Sequence, residues 1–154
     1  MKNEVFKLSI KIGSILGLIQ MVYLFCTGIL IPDLDNLSEN TQTILDTYVF
    51  FILTLFIYLL VWGYKKYKII NGSLSFFKGL LIGITSVFIF LCWVSIYNSL
   101  MYNLILDEKL PITYSHLRSF DLGLNIFEFV IFSFIVLIVN SFYFFLSKLM
   151  TKYF

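Results

Sequence analysis

Charge is in short supply in this sequence. Asp, Glu, Lys and Arg supply 13% of its 154 residues, against roughly 25% in an ordinary soluble domain. A water-soluble fold needs a charged coat, and too little is present to make one. Cysteine is scarcer still, at two residues. Cys26 and Cys92 both lie in apolar runs, which excludes a disulfide framework or a thiolate metal site, so each reads as a small buried apolar residue. The single histidine, His116, cannot supply an imidazole metal set and reads as solvated or interfacial. With 11 basic and 9 acidic residues, the formal net charge of +2 offers no extended basic face, and no nucleic-acid partner is expected. Walker, GxSxG and HExxH patterns are missing. Asp33-Leu34-Asp35 opens like a calcium loop, but Leu37 and Ser38 stand where a ligand and the turn glycine belong. No enzyme, cofactor or metal is expected.

What is present is apolar: 60% of the residues are hydrophobic and the mean hydropathy is +0.93. Four stretches lack Asp, Glu, Lys and Arg, at residues 12–32, 47–64, 79–106 and 129–147. Crossing a hydrocarbon core of roughly 30 Å takes about 20 helical residues. The third stretch is too long, so it is ended near Leu100, with Met101 to Leu106 left as an interfacial extension. The expected fold is all-α: a single integral membrane domain, a four-helix transmembrane bundle with spans at about residues 12–32, 47–64, 79–100 and 127–147.

The charges between the spans sort by sign. Lys2, Lys7 and Lys11, then Lys65, Lys66, Lys68 and Lys78, then Lys148 and Lys152 fall on one side, and this side holds nine of the eleven basic residues. The other side holds Asp33, Asp35, Glu39 and Asp46, then Asp107, Glu108, Asp121 and Glu128 against Lys109 and Arg118, together with Pro32 and Pro111. The positive-inside rule makes the lysine side cytoplasmic and both termini cytoplasmic. A cleaved signal peptide is the competing reading of the first span. It is disfavoured by the span's full length, by the lack of a small-x-small cleavage pattern, and by bulky Phe25 before Cys26. Asn36-Leu37-Ser38 and Asn71-Gly72-Ser73 read as chance glycosylation matches.

No ionisable group sits near any midplane, where ion or proton transport usually needs one. Glu128 marks the outer boundary of the fourth span, either as the point where the helix leaves lipid or paired with Arg118 or Lys109. The uncharged polar groups Gln20, Thr54, Thr85 with Ser86, and Asn140 read as a layer of similar depth, hydrogen-bonded across the helices. The alternative is a small neutral-substrate or lipid-headgroup site, which would need a cavity there. Gly13-x-x-x-Gly17 and Gly79-x-x-x-Gly83 are faces for close helix approach, at which spans one and three are expected to cross or an oligomer to form. Leu8-Ser9-x-x-x-Gly13-x-x-x-Gly17 recurs as Leu74-Ser75-x-x-x-Gly79-x-x-x-Gly83, with Lys2 matching Lys68 and Cys26 matching Cys92. This is either chance in a biased composition or two hairpins related by an axis along the membrane normal. Of the aromatics, Trp62, Tyr64 and Tyr67 read as an inner belt, and Tyr48, Tyr97 and Tyr102 as an outer one. Trp93 lies deeper, where its indole N–H needs a polar partner.

The segment at residues 64–77, with its lysines, aromatics and Asn71-Gly72 turn, is the most distinctive surface offered to a partner; anionic lipid alone accounts for its charge. Tyr64-Lys65-Lys66-Tyr67 followed by Gly72-Ser73-Leu74-Ser75-Phe76-Phe77-Lys78-Gly79-x-x-x-Gly83 resembles a family of small bacterial four-helix membrane proteins known as a domain of unknown function. Ser75, Phe76, Lys78, Gly79 and Gly83 carry the resemblance. It implies a bacterial inner-membrane location and supplies no activity. The expected role is accessory or scaffold, binding another membrane protein or itself within membrane lipid. Small-solute or lipid transport is the first alternative and an immunity-type protein the second.

Overall fold

An apolar chain whose polar residues are grouped between runs of about twenty has one economical way to satisfy its backbone, which is to close every hydrogen bond within long helices. The computed structural model of the chain is all-helical. It describes residues 2–30, 39–106 and 122–153, with side chains at 3–26, 47–97, 99–100 and 126–149. The helices are α1 (Lys2–Leu30), α2 (Glu39–Asn71), α3 (Phe76–Leu106) and α4 (Leu122–Tyr153). Each contains a stretch long and apolar enough to cross a membrane: Asn3–Cys26, Thr47–Asn71, Phe76–Tyr97 and Ile126–Leu149.

All four helices overrun the charge-free stretches. The largest difference is in α1, which begins ten residues before Ile12 and buries Val5, Leu8 and Ser9 there. Lysine permits this, because its long stem can lie along an apolar surface while its ammonium group reaches out. Met101 to Leu106 continue α3 as helix.

α1 packs along α3 over the largest interface, α4 packs on α3 and α2 on α1, while α2 and α4 meet over a smaller area. Ser9 faces Ile82 and Gly17 faces Trp93, so α1 and α3 run parallel. Gly79 faces Asn140 and Gly83 faces Val136, so α3 and α4 are antiparallel. The core is filled by Ile12, Leu16, Phe56, Leu60, Ile82, Val87, Phe90 and Val136. Phe132 closes it, with its ring 5.4 Å from that of Phe56 and 5.5 Å from that of Phe90.

The glycines set the helix spacing. A Cβ at Gly13 would stand 2.5 Å from the Ser86 carbonyl oxygen, and one at Gly17 would collide with the Trp93 side chain. Gly79 and Gly83 do not meet α1. They take Asn140 and Val136 of α4, so both glycine faces are occupied within the chain. The two Leu-Ser-Gly-Gly patterns therefore do different work. Ser9 is buried in mid-helix, whereas Ser75 precedes α3 and its hydroxyl oxygen accepts the Lys78 N–H at 3.3 Å. Matching positions with unlike neighbours are not related by a two-fold axis.

Gly17→Leu and Gly83→Leu are each expected to lower stability by about 1–3 kcal/mol through overpacking. Leu18→Ala, on the outer face of α1, should stay within about 0.5 kcal/mol. Thermal unfolding of the purified variants in one detergent checks both values.

Candidate functional site

The polar residues expected to form one layer are spread over the length of the bundle and pair with other partners. Gln20 accepts the Tyr48 hydroxyl at 2.7 Å, and Tyr48 stacks on Tyr23 with ring centroids 3.2 Å apart, pinning α1 to α2. Ser86 is buried and donates to the Ile82 carbonyl of its own helix at 2.7 Å; the same carbonyl accepts Ser9 from α1 at 3.1 Å. Asn140 donates through Nδ2 to the Phe76 carbonyl at 3.0 Å, in the first turn of α3. Thr54 is exposed and turns back on the Phe50 carbonyl at 2.9 Å. Similar numerical depth did not bring them together: Thr54 and Ser86 bond within their own helices, as short hydroxyl side chains can, and Gln20 and Asn140 turn toward other neighbours. Trp93 donates its indole N–H to Ser14 Oγ at 3.0 Å, the polar partner its depth requires.

Other expectations also change. Cys26 and Cys92 are exposed free cysteines on the outside of the bundle, not buried ones. Tyr64 and Tyr67 are wholly buried and Tyr97 nearly so, which removes them from the aromatic belts. Phe56, Leu60, Tyr64 and Tyr67 recur at helical spacing, and that stripe is the side of α2 turned inward. Glu128 is half-buried on α4. Arg118, Lys109 and His116 lie outside the described residues, as do the side chain of Tyr102 and the acidic linkers.

Chemistry concentrates at the end where α2 turns into α3. Gly72 has a φ of 74°, the left-handed conformation that ends a helix at little cost only for glycine. Asn71 donates through Nδ2 to the Tyr67 carbonyl at 3.2 Å, satisfying one of the acceptors left over at the α2 terminus. Ser75 caps α3, and its carbonyl accepts the Gly79 N–H at 3.0 Å.

This tight turn gathers the lysines and gives them different settings. Lys7 pairs with Glu4 at 3.2 Å on an exposed face, an interaction of small worth. Lys66 and Lys11 lie over the Trp62 ring, 5.0 and 5.4 Å from its centroid. Lys78 lies 5.7 Å from the Tyr67 ring centroid. Lys65 and Lys68 instead flank a groove of about 950 Å³ between α2 and α4, walled by Ile57, Val61, Ile138, Phe142 and Leu146. A smaller groove of about 440 Å³ lies between Val5, Tyr67, Phe77, Lys78 and Thr85. Gln20 and Asn140 line neither groove. Among the described residues, no three His, Cys, Asp or Glu side chains come together to hold a metal.

Three buried polar atoms near this end, Tyr64 Oη, Tyr67 Oη and Asn140 Oδ1, have no hydrogen-bond partner among the described residues. The sequence offered Lys65, Lys66, Lys68 and Lys78 as one basic loop. The structure separates Lys65 and Lys68 from the other two because residues 57, 61, 65 and 68 share one face of α2.

Compared with protein-family models, curated proteins and solved structures, the chain matches none of them significantly. The likeness noted at residues 72–83 gains no support from a family match.

Trp93→Phe and Asn140→Leu each remove an interhelical bond and are expected to cost about 0.6–1.7 kcal/mol. Thr54→Val, which loses only a bond within its own helix, should stay within about 0.5 kcal/mol. Equal losses from all three in thermal unfolding would restore the single polar layer.

Proposed function

We propose that the chain is a multi-pass protein of a bacterial inner membrane, its lysine end on the cytoplasmic side, acting as an accessory or scaffold for another membrane protein or for itself. The observation that carries this reading is the contrast between core and exterior. The bundle centre is packed with Leu16, Leu60, Val87, Phe90 and Val136, while large apolar side chains such as Phe50, Phe88, Phe134 and Phe142 stand exposed along the helices. In water such faces would drive aggregation; against lipid tails they are at home.

A transport path through the bundle would need polar groups facing a cavity at mid-depth. Gln20 and Asn140 are instead engaged with Tyr48 and Phe76. Occupation of both glycine faces within the chain shifts the expected partner surface to the exposed side of α4, around Phe127, Val130, Phe134 and Leu137. Helix association in lipid rests on shape and interhelical bonds, so a face made of large side chains favours a grooved partner over close backbone contact.

Purification from native membranes into lipid nanodiscs, followed by identification of the bound proteins, tests the role. The expected result is a second membrane protein at fixed ratio, lost on replacing Phe134 and Leu137 with Ala. Recovery as a lone monomer contradicts the accessory reading, and recovery as a uniform oligomer of this chain alone supports its self-associating form.

A further inference from the structure

We propose that the groove between α2 and α4 binds one anionic phospholipid of the lysine-side leaflet, with its phosphate between Lys65 and Lys68 and an acyl chain along Ile57, Val61, Ile138 and Phe142. This rests on the membrane reading above and adds a site and a lipid class to it.

Charge selects the headgroup. Lys65 and Lys68 are three residues apart and share one face of α2. Both line the groove, whose lining contains no carboxylate. Lys7 is engaged with Glu4, Lys11 and Lys66 with Trp62, and Lys78 with Tyr67, whereas Lys65 and Lys68 have no such partner among the described residues. Two ammonium groups at the mouth of an apolar slot attract a phosphate and repel the choline cation of a zwitterionic head. Gly72 completes the mouth. A Cβ there would meet nothing within 4 Å, so a headgroup has room beside the two lysines.

Length and polarity select the tail. Along α2, Lys68 stands about 16 Å from Ile57 at roughly 1.5 Å per residue, close to one leaflet's share, about 15 Å, of the hydrocarbon core. The α4 wall from Ile138 to Ser147 covers about 14 Å of the same depth at that rise. Ile138 is 53% exposed and Phe142 62%, so none of the described residues covers this wall. The groove's volume of about 950 Å³ lies at the upper end of the range for small-molecule sites, roughly 300–1,000 Å³, room for a headgroup and part of a chain. The opening follows from topology: α2 and α4 run parallel, are not consecutive in the chain, and are held apart by the Tyr64–Tyr143 edge contact at 5.3 Å.

The test is native mass spectrometry of the full chain, purified in mild detergent and exchanged against mixed phosphatidylglycerol and phosphatidylcholine vesicles. Wild type should retain one phosphatidylglycerol. The K65Q/K68Q pair should weaken retention by about tenfold or more with unchanged thermal unfolding. Ile138→Trp should expel the lipid by filling the slot with the lysines intact. K11Q/K66Q removes the same charge and should keep the lipid.

The proposal is overturned if K11Q/K66Q loses as much as K65Q/K68Q, which would mean diffuse attraction. It is equally overturned if phosphatidylcholine is retained as well as phosphatidylglycerol, or if a protein partner occupies the groove. Alkaline extraction of the same membranes separates the two levels. A chain that stays in the membrane but ignores K65Q/K68Q contradicts the groove alone, whereas a chain that is extracted contradicts the membrane reading on which the groove rests.

Discussion

The close approach of α1 to α3 is the constraint on which the other contacts depend. For a bundle in lipid, as proposed, covering an apolar side chain with protein gains little over covering it with acyl chains, so association would come from packing density and hydrogen bonds that lipid cannot supply. Ser9, Gly13 and Gly17 provide both. The absent side chains at Gly13 and Gly17 let the backbone settle against Ser86 and Trp93, and that proximity lets Ser9 reach the Ile82 carbonyl and Trp93 reach Ser14. With the seam fixed, Ile12 fills the space left by Gly63 on α2. On α3, Gly79 and Gly83 receive Asn140 and Val136 of α4 by the same device.

The two ends of the bundle have been given different tasks. Away from the α2–α3 turn, Tyr48 ties α2 to α1 through Gln20 and Tyr23. Near the turn, lysines and aromatics alternate, and the apolar lining of the α2–α4 groove ends at two ammonium groups. A helix ending in lysines beside a lipid surface is anchored by them, and the same charges can serve recognition where the backbone holds them in a fixed relation. The Gly72 turn and the Ser75 cap supply that fixity, since they set where α2 stops and α3 starts.

Much of the fold was legible in the sequence, because the absence of charge from four long stretches leaves helices as the only economical arrangement of the backbone. The glycine spacing marked Gly13, Gly17, Gly79 and Gly83 as close-packing positions. It could not say that the second pair faces α4, because spacing names a face and not its neighbour. The polar layer failed for a related reason. Depth along each helix is readable, but rotation and tilt decide whether Gln20 turns toward Asn140 or toward Tyr48. Cys26 and Cys92 read as buried through composition alone, and chain order cannot reveal that α1 and α3 present those positions outward. The groove was readable in part, since residues 57, 61, 65 and 68 form a helical stripe; its facing wall on α4 needed the three-dimensional arrangement.

We propose that the chain crosses a bilayer four times with its lysine end inward. The most direct measurement is labelling by a membrane-impermeant thiol reagent in intact cells, using single cysteines placed in a Cys26→Ser, Cys92→Ser background. The account predicts that cysteines at Ser38 and Ser115 react from outside, and that cysteines at Asn3 and Ser73 react only after permeabilisation. Reaction of all four from one side, or the reverse pattern, would contradict it.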